Sequence, residues 1–174
     1  AETETRIGVF KAPAGITDGA LTFVLDQETS INDVDQDQLN PYGINAIRYL
    51  PGQGTKIWGA RTMAVDTEWT YINVRRLFIF LEQSIKQACW WVVFEPNSPK
   101  LWGTVKRNIS AFLTDQWRAG ALYGSKADEA FFVKIDEDNN PRSLQELGQL
   151  HIDIGVAPVF PAEFVIISFQ QKTL

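Results

Sequence analysis

Cysteine, histidine and methionine each occur only once in these 174 residues. A lone Cys89 excludes a disulfide framework and any cysteine-rich metal site, and it fits synthesis in a reducing compartment. One histidine, His151, far from Cys89 in sequence, leaves zinc and iron sites without their usual ligand sets. Ser-His-Asp and Cys-His mechanisms need a histidine beside the nucleophile. His151 sits on the polar side of an alternating stretch, and Cys89, next to Trp90 and Trp91, reads as a packed thiol. Long apolar runs are also lacking. Stretches such as Leu77–Leu81 and Phe164–Ile167 fall far short of the roughly 20 residues that cross a bilayer. An excess of positive charge is missing too: 16 Lys and Arg stand against 21 Asp and Glu, which disfavours nucleic-acid binding. No repeat and no low-complexity tract appears, which argues against solenoids and propellers.

What is present is ordinary globular composition, 45% hydrophobic and 21% charged, on a chain of single-domain length. Pro13, Gly15 and Gly19 mark a loop, followed by a short apolar element over Leu21–Leu25 and an acidic connector over Asp26–Asp37. The turn Asn40-Pro41-Tyr42-Gly43 leads into a strand over Ile44–Leu50, and Pro51-Gly52-Gln53-Gly54 turns it back into Thr55–Met63 as a hairpin. The glycines of that turn lack phosphate-loop spacing. From Tyr71 to Cys89, Val74, Leu77, Phe78, Leu81 and Ile85 recur at helical spacing. Trp90–Glu95 reads as a buried strand ended by Pro96. Ser98 and Pro99 then open a second helix, in which Trp102, Val105, Ile109, Phe112, Leu113 and Trp117 repeat the spacing up to Gly120. Ala130–Ile135 reads as a strand, Asp136–Pro141 as a polar loop, and the alternation through Leu150, Ile152, Ile154 and Val156 as a half-buried strand. In Ala162–Gln170 both faces of an extended segment are apolar. The sum is an α+β fold, with two main helices on a mixed sheet. Trp90, Trp91, Trp102 and Trp117 fall on the expected core faces, and carboxylate pairs such as Asp66 and Glu68 or Asp128 and Glu129 are of the kind common on solvated loops.

A series of short motifs is more specific. It runs Val9-Phe10-Lys11-Ala12-Pro13, Leu39-Asn40-Pro41-Tyr42-Gly43-Ile44-Asn45, Trp58-Gly59-Ala60-Arg61-Thr62 and Tyr71-Ile72-Asn73-Val74-Arg75-Arg76-Leu77. It continues through Phe94-Glu95-Pro96-Asn97, Leu101-Trp102, Phe112-Leu113, Trp117-Arg118-Ala119-Gly120-Ala121-Leu122-Tyr123-Gly124, Ala130-Phe131-Phe132-Val133 and Ala157-Pro158-Val159-Phe160-Pro161-Ala162-Glu163-Phe164. Over nearly its whole length the chain resembles the C-terminal domain of contractile tail sheath proteins of bacteriophages and related injection systems. The resemblance implies a non-enzymatic subunit of hexameric rings stacked helically around an inner tube, whose contraction drives the tube through an envelope. It implies no cofactor, and as partners other sheath subunits, the tube protein, baseplate and terminator proteins. The place would be a virion tail or injection particle assembled in the bacterial cytoplasm. The absence of an initiator Met fits a piece or processed product of a longer sheath protein. Within it, residues 1–20 form an opening segment, 21–161 the core and 162–174 a C-terminal arm.

Sheath subunits are joined by arms that add strands to neighbours. The matching arm here runs from Phe164 to Leu174, carried by Phe164, Val165, Ile166, Ile167 and Phe169, and an unpaired strand apolar on both faces independently wants an external sheet. The family holds its tube through a helix of this domain, and Lys106, Arg107 and Arg118 are the candidate residues, with solvated helix-face charges as the alternative. Arg61, Arg75 and Arg76 are candidate interface arginines, able to pair with Asp136–Asp138 of a neighbour or internally with Asp66 or Glu95. A carbohydrate-binding module and a small carboxylate-dependent hydrolase remain as rival readings.

Overall fold

The computed structural model describes residues 2–165 and residue 167. In chain order the helices are α1 (Glu2–Arg6), α2 (Gly15–Asp18), α3 (Asp33–Leu39), α4 (Ile72–Ala88), α5 (Pro99–Arg118), α6 (Ala127–Ala130) and α7 (Arg142–Glu146). The strands are β1 (Ala46–Leu50), β2 (Gly54–Trp58), β3 (Phe131–Lys134) and β4 (Asp153–Val156). The α+β class holds, but the single mixed sheet expected from the sequence does not. Among the described residues there are two separate two-stranded antiparallel sheets, β1–β2 and β3–β4.

The helices form where their apolar spacing predicts. Val74, Leu77 and Leu81 of α4, Leu101, Trp102, Val105, Ile109 and Leu113 of α5, and Val133 of β3 are all buried. Most of them join one core cluster, closed by Ala121, Leu122, Ala130 and Ile135. Pro99 takes the first position of α5, and Ser98 occupies the cap position in extended conformation without a side-chain cap hydrogen bond. Phe132 lies over Gly155 on β4, where a Cβ would meet the ring at 2.1 Å, so only glycine permits that close approach. Val9 and Phe10 pack on the same cluster, and Asn73 Nδ2 donates to the Phe10 carbonyl at 2.9 Å, which stitches the opening segment to α4.

Three local expectations fail for identifiable reasons. Trp90–Glu95 is not a strand: successive tight turns (Val92 N–H to Cys89 O, Val93 N–H to Trp90 O, Glu95 N–H to Val92 O) continue directly from α4 and leave no edge for a partner. Trp90, Trp91, Val93 and Phe94 are consequently exposed, against the core reading of the two tryptophans, and Phe94 stands in the left-handed region at φ 72°. Leu21–Leu25 is no packed element either, since only Leu21 is held, by its N–H on Thr55 O, while Phe23 and Leu25 are fully exposed. The acidic connector contains α3, started by a capping box in which Asn32 and Asp35 exchange side-chain and backbone hydrogen bonds. Asp33 and Asp35 sit in its first turn, where the helix dipole favours them.

The core assignment predicts that Leu113→Ala, at a site with no exposed surface, lowers unfolding free energy by about 3 kcal/mol. Trp90→Ala, on the exposed turn, should cost less than about 1 kcal/mol. Urea denaturation of both variants checks the ranking, and equal losses would contradict this core.

Candidate assembly site

The C-terminal segment leaves the body of the domain at Glu163, and that carboxylate is held from three sides. Arg61 Nε donates to both carboxylate oxygens at 3.0 and 3.1 Å, and Nη2 donates to Oε2 at 2.7 Å. Asn40 Nδ2 donates to Oε1 at 3.0 Å and the Tyr71 hydroxyl to Oε2 at 3.1 Å. The Arg61 fork is itself positioned by Nη1 on the Asn40 carbonyl at 3.1 Å. Asn45 fixes the backbone of Arg61, accepting from its N–H at 2.7 Å and donating to its carbonyl at 2.8 Å. The clamp therefore ties the turn after α3, the exit of β2 and the start of α4 to the root of the arm. It borders a cavity of about 770 Å³ that also meets Phe10, Arg48 and Phe164.

Burial would raise the pKa of Glu163, but the hydrogen bonds from Arg61, Asn40 and Tyr71 outweigh it and hold the carboxyl below its ordinary value. Arg61 is raised by its hydrogen bond to Glu163, and Tyr71 is raised by burial and then by the Glu163 charge. A carboxylate held in its ionised form at neutral pH by three donors is a structural anchor and a poor proton donor. Of the other carboxylates weighed for hydrolysis, two serve turns: Asp66 accepts from Trp69 N–H and Glu129 from Ser125 N–H. His151 is exposed, and its backbone N–H and carbonyl are both paired with the side chain of buried Asn140.

Beyond Glu163 the described arm residues are uncovered, with Phe164 66%, Val165 82% and Ile167 68% exposed. Ile166 and Phe169 lie outside the described residues. The three candidate arginines all have partners inside the chain, though other ones than the sequence suggested. Arg61 takes Glu163, Arg76 pairs with Glu4, and Arg75 stacks 4.9 Å from the centroid of the Trp69 ring. Asp136 and Asp138 face Lys134 instead. Glu163 was missed because nothing in its spacing separates an anchor from a solvated charge.

Lys106, Arg107 and Arg118 are exposed on α5 and have no carboxylate partner among the described residues. At about 100° per residue, Arg107 and Arg118 share one face with exposed Lys100, while Lys106 points roughly a third of a turn away. The basic stripe is thus Lys100, Arg107 and Arg118, spread over about 27 Å of helix.

The hairpin carries the other feature relevant to assembly. Its register pairs Ile47 with Ile57 and Tyr49 with Thr55. Ile57 N–H donates outward to Gly19 O at 2.7 Å, and Thr55 O accepts outward from Leu21 N–H at 3.0 Å. By antiparallel alternation, the backbone groups of Ile47 and Tyr49 must also point away from the ladder, toward the free edge of β1.

Residues 64–172 match the family model of the phage tail sheath C-terminal domain. The chain belongs to that family. It is 30% identical over 159 residues, 91% of its length, to the tail sheath protein of Vibrio phage KVP40, of which it spans 23%. Among solved structures it is similar to a chain of the anti-feeding prophage helical sheath in its contracted state, with a TM-score of 0.90, 41% identity and 98% of this chain covered. It is also similar to a chain in the anti-feeding prophage baseplate, with a TM-score of 0.90, 40% identity and 99% coverage. The chain spans about a quarter of the phage relative's length and 48% of each solved chain.

The clamp predicts a pH signature. Glu163 has a depressed folded pKa, so its contribution is complete above the unfolded carboxyl's pKa of about 4.3 and is lost as pH falls through the lower folded value. Glu163→Gln should therefore cost about 2 kcal/mol at pH 7, by leaving Arg61 half-buried and unpaired. The deficit should shrink as acid protonates Glu163 in the parent. Urea unfolding of both proteins from pH 7 down to pH 3 measures it, and a pH-independent difference would contradict the assignment.

Proposed function

We propose that this domain is the lattice-forming part of a contractile sheath, linking copies into hexameric rings stacked around an inner tube and carrying the force of contraction. The observation that supports it best is the end of the described chain. A segment apolar on both faces leaves the fold immediately after a residue held by five side-chain hydrogen bonds. A strand of that kind gains its backbone partners and apolar cover on another copy's sheet. Such a joint tolerates rigid-body rotation of domains, because the linkage runs along a strand and not across a packed face. The related sheath and baseplate structures are consistent with copies associating with one another and with a baseplate.

In this reading the role is mechanical, no cofactor is needed, and the particle is a phage tail or injection machine built in the bacterial cytoplasm. The basic stripe on α5 faces the inner tube, where positive charge on an otherwise acidic domain steers sheath onto tube. The exposed turn of Trp90, Trp91, Val93 and Phe94 is a further apolar surface of the kind that partners cover.

Two outcomes test this. In the polymerising protein, Ile167→Asp, or removal of everything after Phe164 so that the Glu163 clamp stays intact, should leave the thermal midpoint of the domain unchanged and abolish sheath tubes in electron micrographs. Normal tubes would refute strand linkage. Reversing Arg107 and Arg118 to Glu should lower by at least tenfold the yield of sheath assembled around purified tube at low salt, whereas an unchanged, salt-insensitive yield would place these charges in solvent.

A further inference from the structure

We infer that Gln27 is a displaceable plug on the strand-accepting edge of β1, so that arm exchange proceeds by replacing a side-chain amide with a neighbour's backbone. The inference rests on the strand-linkage reading above and says how that edge is kept until a partner arrives.

The outward groups of β1 include the Ile47 carbonyl and the Tyr49 N–H, and both are taken by one side chain. Gln27 Nε2 donates to Ile47 O at 2.7 Å, and Gln27 Oε1 accepts from Tyr49 N–H at 3.2 Å. A primary amide carries a donor and an acceptor as a peptide unit does, so it satisfies this part of the edge as a strand would.

Two other amides do similar work, but in committed places. Asn45 pairs with both backbone groups of Arg61, and Asn140, fully buried, pairs with both backbone groups of His151. Gln27 differs in standing on a stretch with no helix or strand of its own, between exposed Asp26 and Glu28 and close to fully exposed Phe23 and Leu25. That stretch is pinned at its ends, by Leu21 N–H on Thr55 O and by Arg48 Nε on Ile31 O at 3.0 Å. Between the pins, the two Gln27 hydrogen bonds join it to β1 through residues that belong to no core cluster, so Gln27 can leave without dismantling the core.

The occupant that fits the vacated edge is the C-terminal arm of a second copy. It brings several backbone donors and acceptors where Gln27 brings one of each, and its apolar side chains can lie beside Ile47 and Tyr49, which are 47% and 62% exposed on the outer face of β1. The plug also caps an edge that would otherwise invite indiscriminate pairing.

The test uses the 174-residue chain, a fluorescent peptide with the sequence of residues 162–174, and the variants Gln27→Ala and Gln27→Glu. The second keeps the length but sets a carboxylate against the Ile47 carbonyl. Both variants should bind the peptide about fivefold more tightly than the parent, the value of losing two exposed competing hydrogen bonds. Without peptide, hydrogen exchange at Tyr49 N–H should rise at least fivefold in Gln27→Ala, which alone removes the acceptor, while Arg48 N–H within the β1–β2 pair is unchanged. Equal affinity for parent and variants, or unchanged exchange at Tyr49 in Gln27→Ala, overturns the plug and leaves strand linkage standing. Peptide binding to none of the three proteins overturns strand acceptance at β1 and the plug with it.

Discussion

A two-stranded sheet turns half of its backbone groups inward to the ladder and half outward to nothing, and this domain is built around where the outward half goes. On β2 it goes to Gly19 and Leu21. On β1 part of it, the Ile47 carbonyl and the Tyr49 N–H, goes to the amide of Gln27. Past β2 the backbone of Arg61 goes to Asn45, and before β4 that of His151 goes to Asn140. At Arg61 and His151, where the bonds are part-buried, the pairing answers a real cost, since an unpaired buried peptide group loses roughly what a hydrogen bond is worth.

The clamp at Glu163 follows from the arrangement of these small sheets. Asn45 fixes the peptide of Arg61, and a fixed Arg61 presents a preset fork to the carboxylate. The Asn40 amide and Tyr71 hydroxyl converge on the same two oxygens from either side of the hairpin in sequence. Several weak, partly buried hydrogen bonds sharing one carboxylate reinforce each other, because each charge-assisted bond helps to hold the acceptor in place for the next. The result is a fixed point at Glu163, directly after which Phe164 and Val165 are exposed.

Much of this was legible in the sequence wherever period carried the signal. The two long helices, the 46–58 hairpin and the strands near 131 and 153 lie where spacing and turn residues put them, because burial of an apolar stripe and the chemistry of Pro and Gly act locally. The aromatic run at Trp90 misled because composition says what a surface will pack against without saying whether the partner is the same chain. Short helix α3 was hidden by its charge, although Asn32 and Asp35 spell a capping box. The clamp was not legible at all: Arg61 and Glu163 are 102 residues apart, and only the fold brings them together.

The Gln27 contact bears on a general difficulty of polymers assembled by strand exchange. An edge closed by backbone, as β2 is by the bridge at residues 19–21, opens only if that stretch of main chain moves away. An edge left bare pairs with any extended chain that meets it. A side-chain amide lies between these limits: it competes well enough to discourage short or mismatched segments, which offer few hydrogen bonds and little apolar area. It loses to a long apolar strand that offers several of each. Specificity then comes from the difference between two modest interactions. In a lattice that must grow in order around a template, such a threshold favours arms delivered by a docked neighbour, whose effective concentration is high, over free encounters in solution.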